Sequence, residues 1–258
     1  MGRYIRQKKL KGLAAGVDVE VIHLDIPDEG DSSAIKDKVA SLCEASDIRT
    51  TGIIVQLPVL TRSNFVVPEG DREALGYLHA SGNLCRDVDG VHPCSEVLYN
   101  FKTSSQGFYN LPCTPQAVLE LIQYHQVPLK GKRAVIIGRS SIVGTPLMNT
   151  LLQDEYQMTI VSPHKSDTNL KGHTVEADLL IVAAGHPSLI TPDMIKPGAV
   201  LIDIGINRIS NSSDGSVQLV GDISPQVKAT FPLPFPSPPP SASLSAPPTL
   251  QSPVVLAL

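Results

Sequence analysis

RAVIIGRSSIVGTP, residues 133–146, is an apolar run that ends in glycine, crosses a polar turn closed by a second glycine, and enters a helical pattern at Pro146. Ala134, Val135, Ile136 and Ile137 are apolar without alternation, as in a strand buried on both faces of a parallel sheet. The turn from Gly138 to Gly144 opens a helix, and at such a junction an open parallel sheet gathers phosphate groups on backbone N–H donors. The turn is not G-x-G-x-x-G, and by itself a tight turn that needs glycine for backbone reasons accounts for it equally well.

The same rhythm continues toward the C-terminus. A helix over Pro146–Leu152, strand TIVS (159–162), strand ADLLIVAAG (177–185), a helix near Asp193 and strand AVLIDIGI (199–206) predict an α/β unit with a parallel sheet covered on both faces. Upstream, Thr114 as N-cap, Pro115 at the first helical position, and Ala117, Val118, Leu121 and Ile122 at helical spacing open a helix, and the domain crossover falls there.

Residues 3–15 read as a helix closed by Gly16, with Ile5, Leu10, Leu13 and Ala14 on one broad face and Tyr4, Lys8 and Lys11 on the other. VEVIHL (19–24) alternates as a strand, Ile35, Val39, Leu42 and Cys43 recur at helical spacing, and GIIVQLP (52–58) reads as a buried strand stopped by proline. Pro68 to Asn110 is less regular. From Phe231 onward the chain carries nine prolines and no charged residue, so a disordered or polyproline-like tail is expected. The organisation read from the sequence is an α/β domain over 1–113, a second α/β domain over 114–228 and a tail over 229–258.

Composition removes several function classes. A net charge of -4 gives no positive field, so nucleic acid is not expected as a partner. The longest apolar runs, Leu179–Ala184 and Ala199–Ile206, are far shorter than the roughly 18 residues of a spanning helix, so no membrane association is expected. Cys43, Cys85, Cys94 and Cys113 form no C-x-x-C pair and the histidines no H-E-x-x-H, which argues against a metal site or a disulfide framework. Arg3, Arg6, Lys8, Lys9 and Lys11 precede the first acid, Asp18, and fit either a mitochondrial presequence or a functional helix. A cytoplasmic location is expected, with a mitochondrial one as the alternative.

After strand 159–162, where NAD-specific sheets place an acid on the ribose 2′-hydroxyl, this chain has Ser162-Pro-His164-Lys165-Ser166. With Arg139 in the preceding loop, His164 and Lys165 could surround a 2′-phosphate, which favours NADP over NAD; an ordinary solvated loop is the competing account.

Taken in order, YIRQK (4–8), GIIVQLP, DVDG (87–90), LPCTP (111–115), GRSSIVGTP, KPGAVLIDIGINR (196–208) and LVGD (219–222) resemble the methylenetetrahydrofolate dehydrogenase/methenyltetrahydrofolate cyclohydrolase family. The resemblance implies an α/β catalytic domain followed by a Rossmann-like NADP domain, tetrahydrofolate derivatives as substrates, and a homodimer. It gives Tyr4 the stacking face for the folate, Lys8 the catalytic amine, Gln56 the hydrogen bond to that lysine, and Asp89 the anchor of the pterin's amino edge. Cofactor contacts fall on Gly138, Arg139, Ser140, Ile142, Gly144, His164, Lys165 and Ile206.

The chemistry suits these residue types. A carboxylate accepts adjacent pterin N–H donors and an aromatic ring covers a flat one. Loss of hydride from a methylene held between two nitrogens needs positioning more than proton transfer, whereas hydrolysis of the methenyl product needs a group that moves protons. Without the resemblance, Tyr4 and Lys8 read as an exposed helix pair, Asp87 and Asp89 as an Asx turn, and Gln56 as a polar strand end.

Two departures stand against this match. Met1 lies three residues before Tyr4, where the family carries a further strand, and after Gly221-Asp222 the family's T-P-V-P-G-G-V-G-P-M-T is replaced by ATFPLPFPSPPP (229–240), as an altered reading frame, retained intron or alternative end would produce. The sequence therefore leaves two readings: an NADP-dependent dehydrogenase/cyclohydrolase, or a truncated, catalytically impaired form that retains dinucleotide binding. A shikimate-type dehydrogenase is disfavoured by Y-x-x-x-K together with DVDG.

Overall fold

The computed structural model describes residues 2–31, 33–43, 50–56, 59–63, 66, 87–92, 110–153, 155–210, 217–230 and 254–257. Its chain divides into two compact units, Met1–Val88 and Asp89–Leu258. The division falls ahead of the boundary expected at 113, because Asp89 and Gly90 lie with the second unit: a Cβ on Gly90 would stand 2.1 Å from the carbonyl oxygen of Asn110.

In the second unit, β1 (Arg133–Ile137), β2 (Thr159–Val161), β3 (Leu179–Val182), β4 (Val200–Asp203) and β7 (Val254–Ala257) form a parallel sheet in the order β2-β1-β3-β4-β7. A separate antiparallel pair, β5 (Asn207–Ser210) and β6 (Val217–Val220), follows β4. Among the described residues of this unit the helices are α3 (Cys113–Tyr124), α4 (Gly144–Leu151), α5 (Leu170–Thr174) and α6 (Pro225–Thr230), and the segment near Asp193 is one 3-10 turn, Pro192–Met194.

Strand periodicity sorts the core into two layers. Ala134, Ile136, Leu179, Ile181, Val200 and Ile202 pack with Val118 and Ile122 of α3 and Leu147 and Leu151 of α4. Their neighbours Val135, Ile137, Leu180, Val182 and Leu201 pack with Leu170, Ile190, Ile195, Ile223 and Val227. Successive strand residues thus feed opposite faces, both of them dry, which is why these runs lack apolar–polar alternation.

Four expectations change here. The helix at 113 begins at Cys113 with Pro112 as its cap, so Thr114 is not the N-cap and Pro115 stands inside the first turn, where its missing N–H leaves no intrahelical bond unmade. The tail expected to be disordered contributes β7 at the sheet edge, built from VVLA, a short β-branched run free of proline. In the first unit, α1 (Gly2–Ala14) and α2 (Ser33–Cys43) form as expected and Gly16 takes a positive φ of 72° past the end of α1. VEVIHL does not become a strand, however, and the described part of GIIVQLP, residues 52–56, contributes a bridge from Ile53 to Asp87. Alternation specifies which residues share a face but supplies no ladder partner, and a strand needs one for its N–H and C=O groups. Ile26, Ile35, Val39, Cys43, Ile53 and Val59 make this unit's core.

Leu180 is fully buried in the middle of β3. Leu180→Ala should therefore lower unfolding free energy by about 2–5 kcal/mol, read from the urea midpoint of the sheet's circular dichroism.

Candidate functional site at the carboxyl ends of the parallel strands

From β1 the chain passes through α4 to β2 on one side, and β3 then lies on β1's other side. The strand order reverses between β1 and β3, and crevices that hold ligands in open α/β sheets form at the carboxyl ends of such a pair. A cavity of about 270 Å³ opens there, lined by Gly138, Arg139 and Ser140 after β1, Pro163, His164 and Lys165 after β2, and Ala183 and Ala184 after β3.

Both bracketing glycines are required by geometry. Gly138 has φ 120°, and a Cβ on it would lie 2.3 Å from the Ala183 carbonyl oxygen. A Cβ on Gly144 would lie 1.9 Å from the carbonyl oxygen of Gly138. The turn is closed by the Thr145 N–H donating to Ser140 O at 3.0 Å, and α4 starts without a side-chain cap. A cradle this tight brings backbone close to whatever fills the cavity.

The cavity's charged groups are held by backbone. Arg139 Nη2 donates to the carbonyl oxygen of Ser162, and Lys165 Nζ donates to that of Ala184 at 3.3 Å. His164 Nδ1 accepts from the Ser166 N–H at 3.2 Å, which leaves Nε2 to carry the proton of the neutral ring. Among the described residues no carboxylate lines the cavity, so the residues present fit an anionic group rather than a second cation. Of the expected cofactor contacts, the structure gathers Gly138, Arg139, Ser140, His164 and Lys165. Gly144 supports the turn from behind, while Ile142 and Ile206, 37% and 57% exposed, do not line the cavity.

Behind the Ala184 wall lies a pair of carboxylates to which the sequence reading gave no role. Asp222 is fully buried and its Oδ2 accepts the N–H groups of Ala184 at 2.6 Å and Gly185 at 3.0 Å, while Oδ1 accepts from the His186 N–H at 2.9 Å and Asn207 Nδ2 at 2.8 Å. Asp203 accepts the N–H groups of Gly205, Asp222 and Ile223. Burial pushes the Asp203 carboxyl pKa up, the three backbone donors pull it down, and the Asp222 charge adds to the rise. Protonation of Asp203 thus favours the folded state; this stability is complete below the ordinary carboxylate range and lost as pH rises through the folded pKa. The signal for Asp222 was present in LVGD, where a glycine precedes an acid at the end of a strand: a Cβ on Gly221 would lie 1.8 Å from Asp203 Oδ2.

In the first unit, Lys8 on α1 meets Gln56, which ends the described part of GIIVQLP; Lys8 Nζ donates to Gln56 Oε1 at 3.3 Å in a partly buried setting. Tyr4 stands one helical turn before Lys8 on α1, and its side chain lies outside the described residues. In the second unit Asp89 is half-buried, and the Cys113 thiol donates to its Oδ1 at 3.6 Å. Among the described residues no group of three or more His, Cys, Asp or Glu could hold a metal ion, and no helix is long and apolar enough to cross a membrane.

Residues 112–240 match the family described as tetrahydrofolate dehydrogenase/cyclohydrolase, NAD(P)-binding domain. The chain is 36% identical over 220 residues to the bifunctional protein FolD of Azoarcus sp., a match covering 85% of this chain and 68% of that protein. It is 38% identical over 200 residues to the bifunctional protein FolD of Syntrophus aciditrophicus, covering 76% of this chain and 62% of that one. Among solved structures, the bifunctional FolD methylenetetrahydrofolate dehydrogenase/cyclohydrolase of Campylobacter jejuni superposes with a TM-score of 0.69 at 33% identity, over 86% of this chain and 70% of that chain. The chain thus spans about two thirds of the length of these relatives.

Gly144→Ala tests the cradle. The added methyl meets backbone on a buried turn, so the variant should lose several degrees in thermal midpoint and bind a dinucleotide at least about tenfold more weakly, as measured by scanning and titration calorimetry.

Proposed function

This chain belongs to the tetrahydrofolate dehydrogenase/cyclohydrolase family, and from that premise we propose that it oxidises 5,10-methylenetetrahydrofolate to 5,10-methenyltetrahydrofolate with NADP and hydrolyses the product to 10-formyltetrahydrofolate. The observation that carries this reading is the hydrogen bond from Lys8 to Gln56, two residues 48 positions apart that the family resemblance pairs. NADP supplies the hydride acceptor. The chain's own residues bind, orient and move protons.

Lys8 is the group proposed to move protons in hydrolysis of the methenyl bridge. Gln56 offers a carbonyl oxygen to its amine and fixes its direction. Tyr4, on the same helix, is proposed to cover the flat face of the folate, and Asp89 to accept the pterin's amino edge. Oxidation asks for no acid or base from the protein, because the lone pairs of the flanking nitrogens stabilise the cation formed; positioning is what the enzyme contributes.

On the cofactor side, the tight Gly138–Gly144 turn suits a pyrophosphate at the start of α4. Arg139, His164 and Lys165 are proposed to recognise the 2′-phosphate, with Ser140, Ile142, Gly144 and Ile206 completing the contacts. Two fixed cations, with no acid beside them among the described residues of the cavity, support NADP over NAD. Residues 1–113 are proposed as the folate-binding catalytic domain and 114–228 as the cofactor domain. A homodimer is proposed from the family resemblance, and a cytoplasmic location is proposed with a mitochondrial one as the alternative.

Lys8→Met keeps the length of the side chain and removes the amine, and it should abolish methenyl hydrolysis followed by the loss of methenyl absorbance. An unchanged hydrolysis rate removes Lys8 from the mechanism. The parent should bind NADP more tightly than NAD, and Arg139→Ala should erase most of that difference in calorimetric dissociation constants. Equal constants in the parent contradict the cofactor assignment.

A further inference from the structure

We propose that Asp222 is a positioning residue for cofactor selectivity, acting through the Ala184–Gly185 peptide to aim Lys165 at the cofactor. The proposal rests on the cofactor reading above and deepens it.

A trans peptide is planar, with N–H and C=O pointing to opposite sides. The unit formed by the Ala184 carbonyl and the Gly185 N–H is held at both ends: Gly185 N–H donates to Asp222 Oδ2 at 3.0 Å, and Ala184 O accepts from Lys165 Nζ at 3.3 Å. The Ala184 and His186 N–H groups, also on Asp222 at 2.6 and 2.9 Å, prevent the unit from rotating. With three consecutive N–H groups on one buried carboxylate, the Ala184 carbonyl can only face away from Asp222, into the cavity it lines. Donation to an anion also polarises the peptide, so its oxygen is a stronger acceptor for an ammonium.

The consequence is selective. Lys165 is exposed on a flexible stem, and holding it costs rotamer entropy that is spent before a ligand arrives if the carbonyl already engages it. One of its three ammonium hydrogens is used on Ala184, which leaves two for a phosphate. NAD lacks the 2′-phosphate that this charge would meet, so its affinity should depend little on the clamp. Asp222 is itself fixed from behind by Asp203, which accepts the Asp222 N–H at 3.0 Å, and by the absence of a side chain at Gly205, where a Cβ would stand 2.2 Å from the Asp222 carboxylate.

The test is a double-mutant cycle in the full chain, read as the ratio of NAD to NADP dissociation constants by titration calorimetry. Asp222→Asn presents an amide NH₂ to a site that holds only donors, and the ratio should fall about fivefold with NAD affinity little changed. Lys165→Ala should lower it similarly, and the double variant should fall no further than Lys165→Ala alone. An unchanged ratio in Asp222→Asn, or additive effects in the double variant, overturns the proposal while the cofactor reading stands. A parent that binds neither dinucleotide overturns both.

Should Asp222→Asn fail to fold, the coupling is read from the other end of the peptide. In Lys165→Ala the Gly185 amide proton resonance should move upfield as its unit loses the ammonium, and an unmoved resonance overturns the relay.

Discussion

β1, β3 and β4 are buried on both faces, and the position of every loop at the cavity depends on that. Residues 134–137, 179–182 and 200–202 are each 4% exposed or less. At roughly 25 cal/mol per Å² of apolar surface removed from water, such side chains dominate the stability of the unit. Registers are fixed because a one-residue slip would exchange the two layers, putting the Ile136 set where the Val135 set packs. With the strands pinned, Gly138, Ala183 and Ile204 emerge at fixed heights on the same edge. The Ala183 N–H bonds Ile137 O and the Ile204 N–H bonds Val182 O, extending the ladder into the loops.

Buried carboxylates at that edge would be a liability without donors, since desolvation opposes the charged form. Here two carboxylates share seven N–H donors, six from backbone and one from Asn207. The six backbone donors lie in the segments that follow β3, β4 and β6, and the seventh is the side chain of Asn207 at the start of β5. The carboxylates therefore serve the loops as caps serve a helix end: they satisfy backbone groups that secondary structure cannot reach. Glycine at 205 and 221 makes the room.

The second unit was legible from sequence because its signal is local. A run of β-branched residues, a glycine turn and a short helix each announce themselves within ten residues, and the parallel sheet follows from their alternation. In the first unit the helices α1 and α2 were equally legible, and the strands were not. VEVIHL has the right period, yet a strand is a relation between two segments, and nothing in residues 19–24 states whether a partner is present. Val254–Ala257 fails in the opposite direction, since four residues beyond a proline-rich stretch carry no period worth reading, and only the β4 edge makes them a strand. The meeting of Lys8 with Gln56 follows from the family resemblance, whereas the LVGD motif carries Asp222 without stating its task. A buried acceptor is defined by the N–H groups that converge on it, and these come from residues 184–186 and 207, which share no sequence pattern with residue 222.

A fixed negative charge next to an anion site would ordinarily work against it. The arrangement around Ala184 shows how the two coexist. Asp222 faces N–H groups on one side of the peptide plane, and the cavity sees the other side, where the carbonyl is already engaged by Lys165. The carboxylate is thus spent on donors and screened by backbone, while the two cations that line the cavity, Arg139 and Lys165, are each steadied by a neutral carbonyl rather than a competing acid. A neutral acceptor orients a cation without cancelling its charge. Replacing either carbonyl contact with an ion pair would hold the side chain more firmly and leave less charge for a phosphate, so a site built to read an anion does better with the weaker restraint.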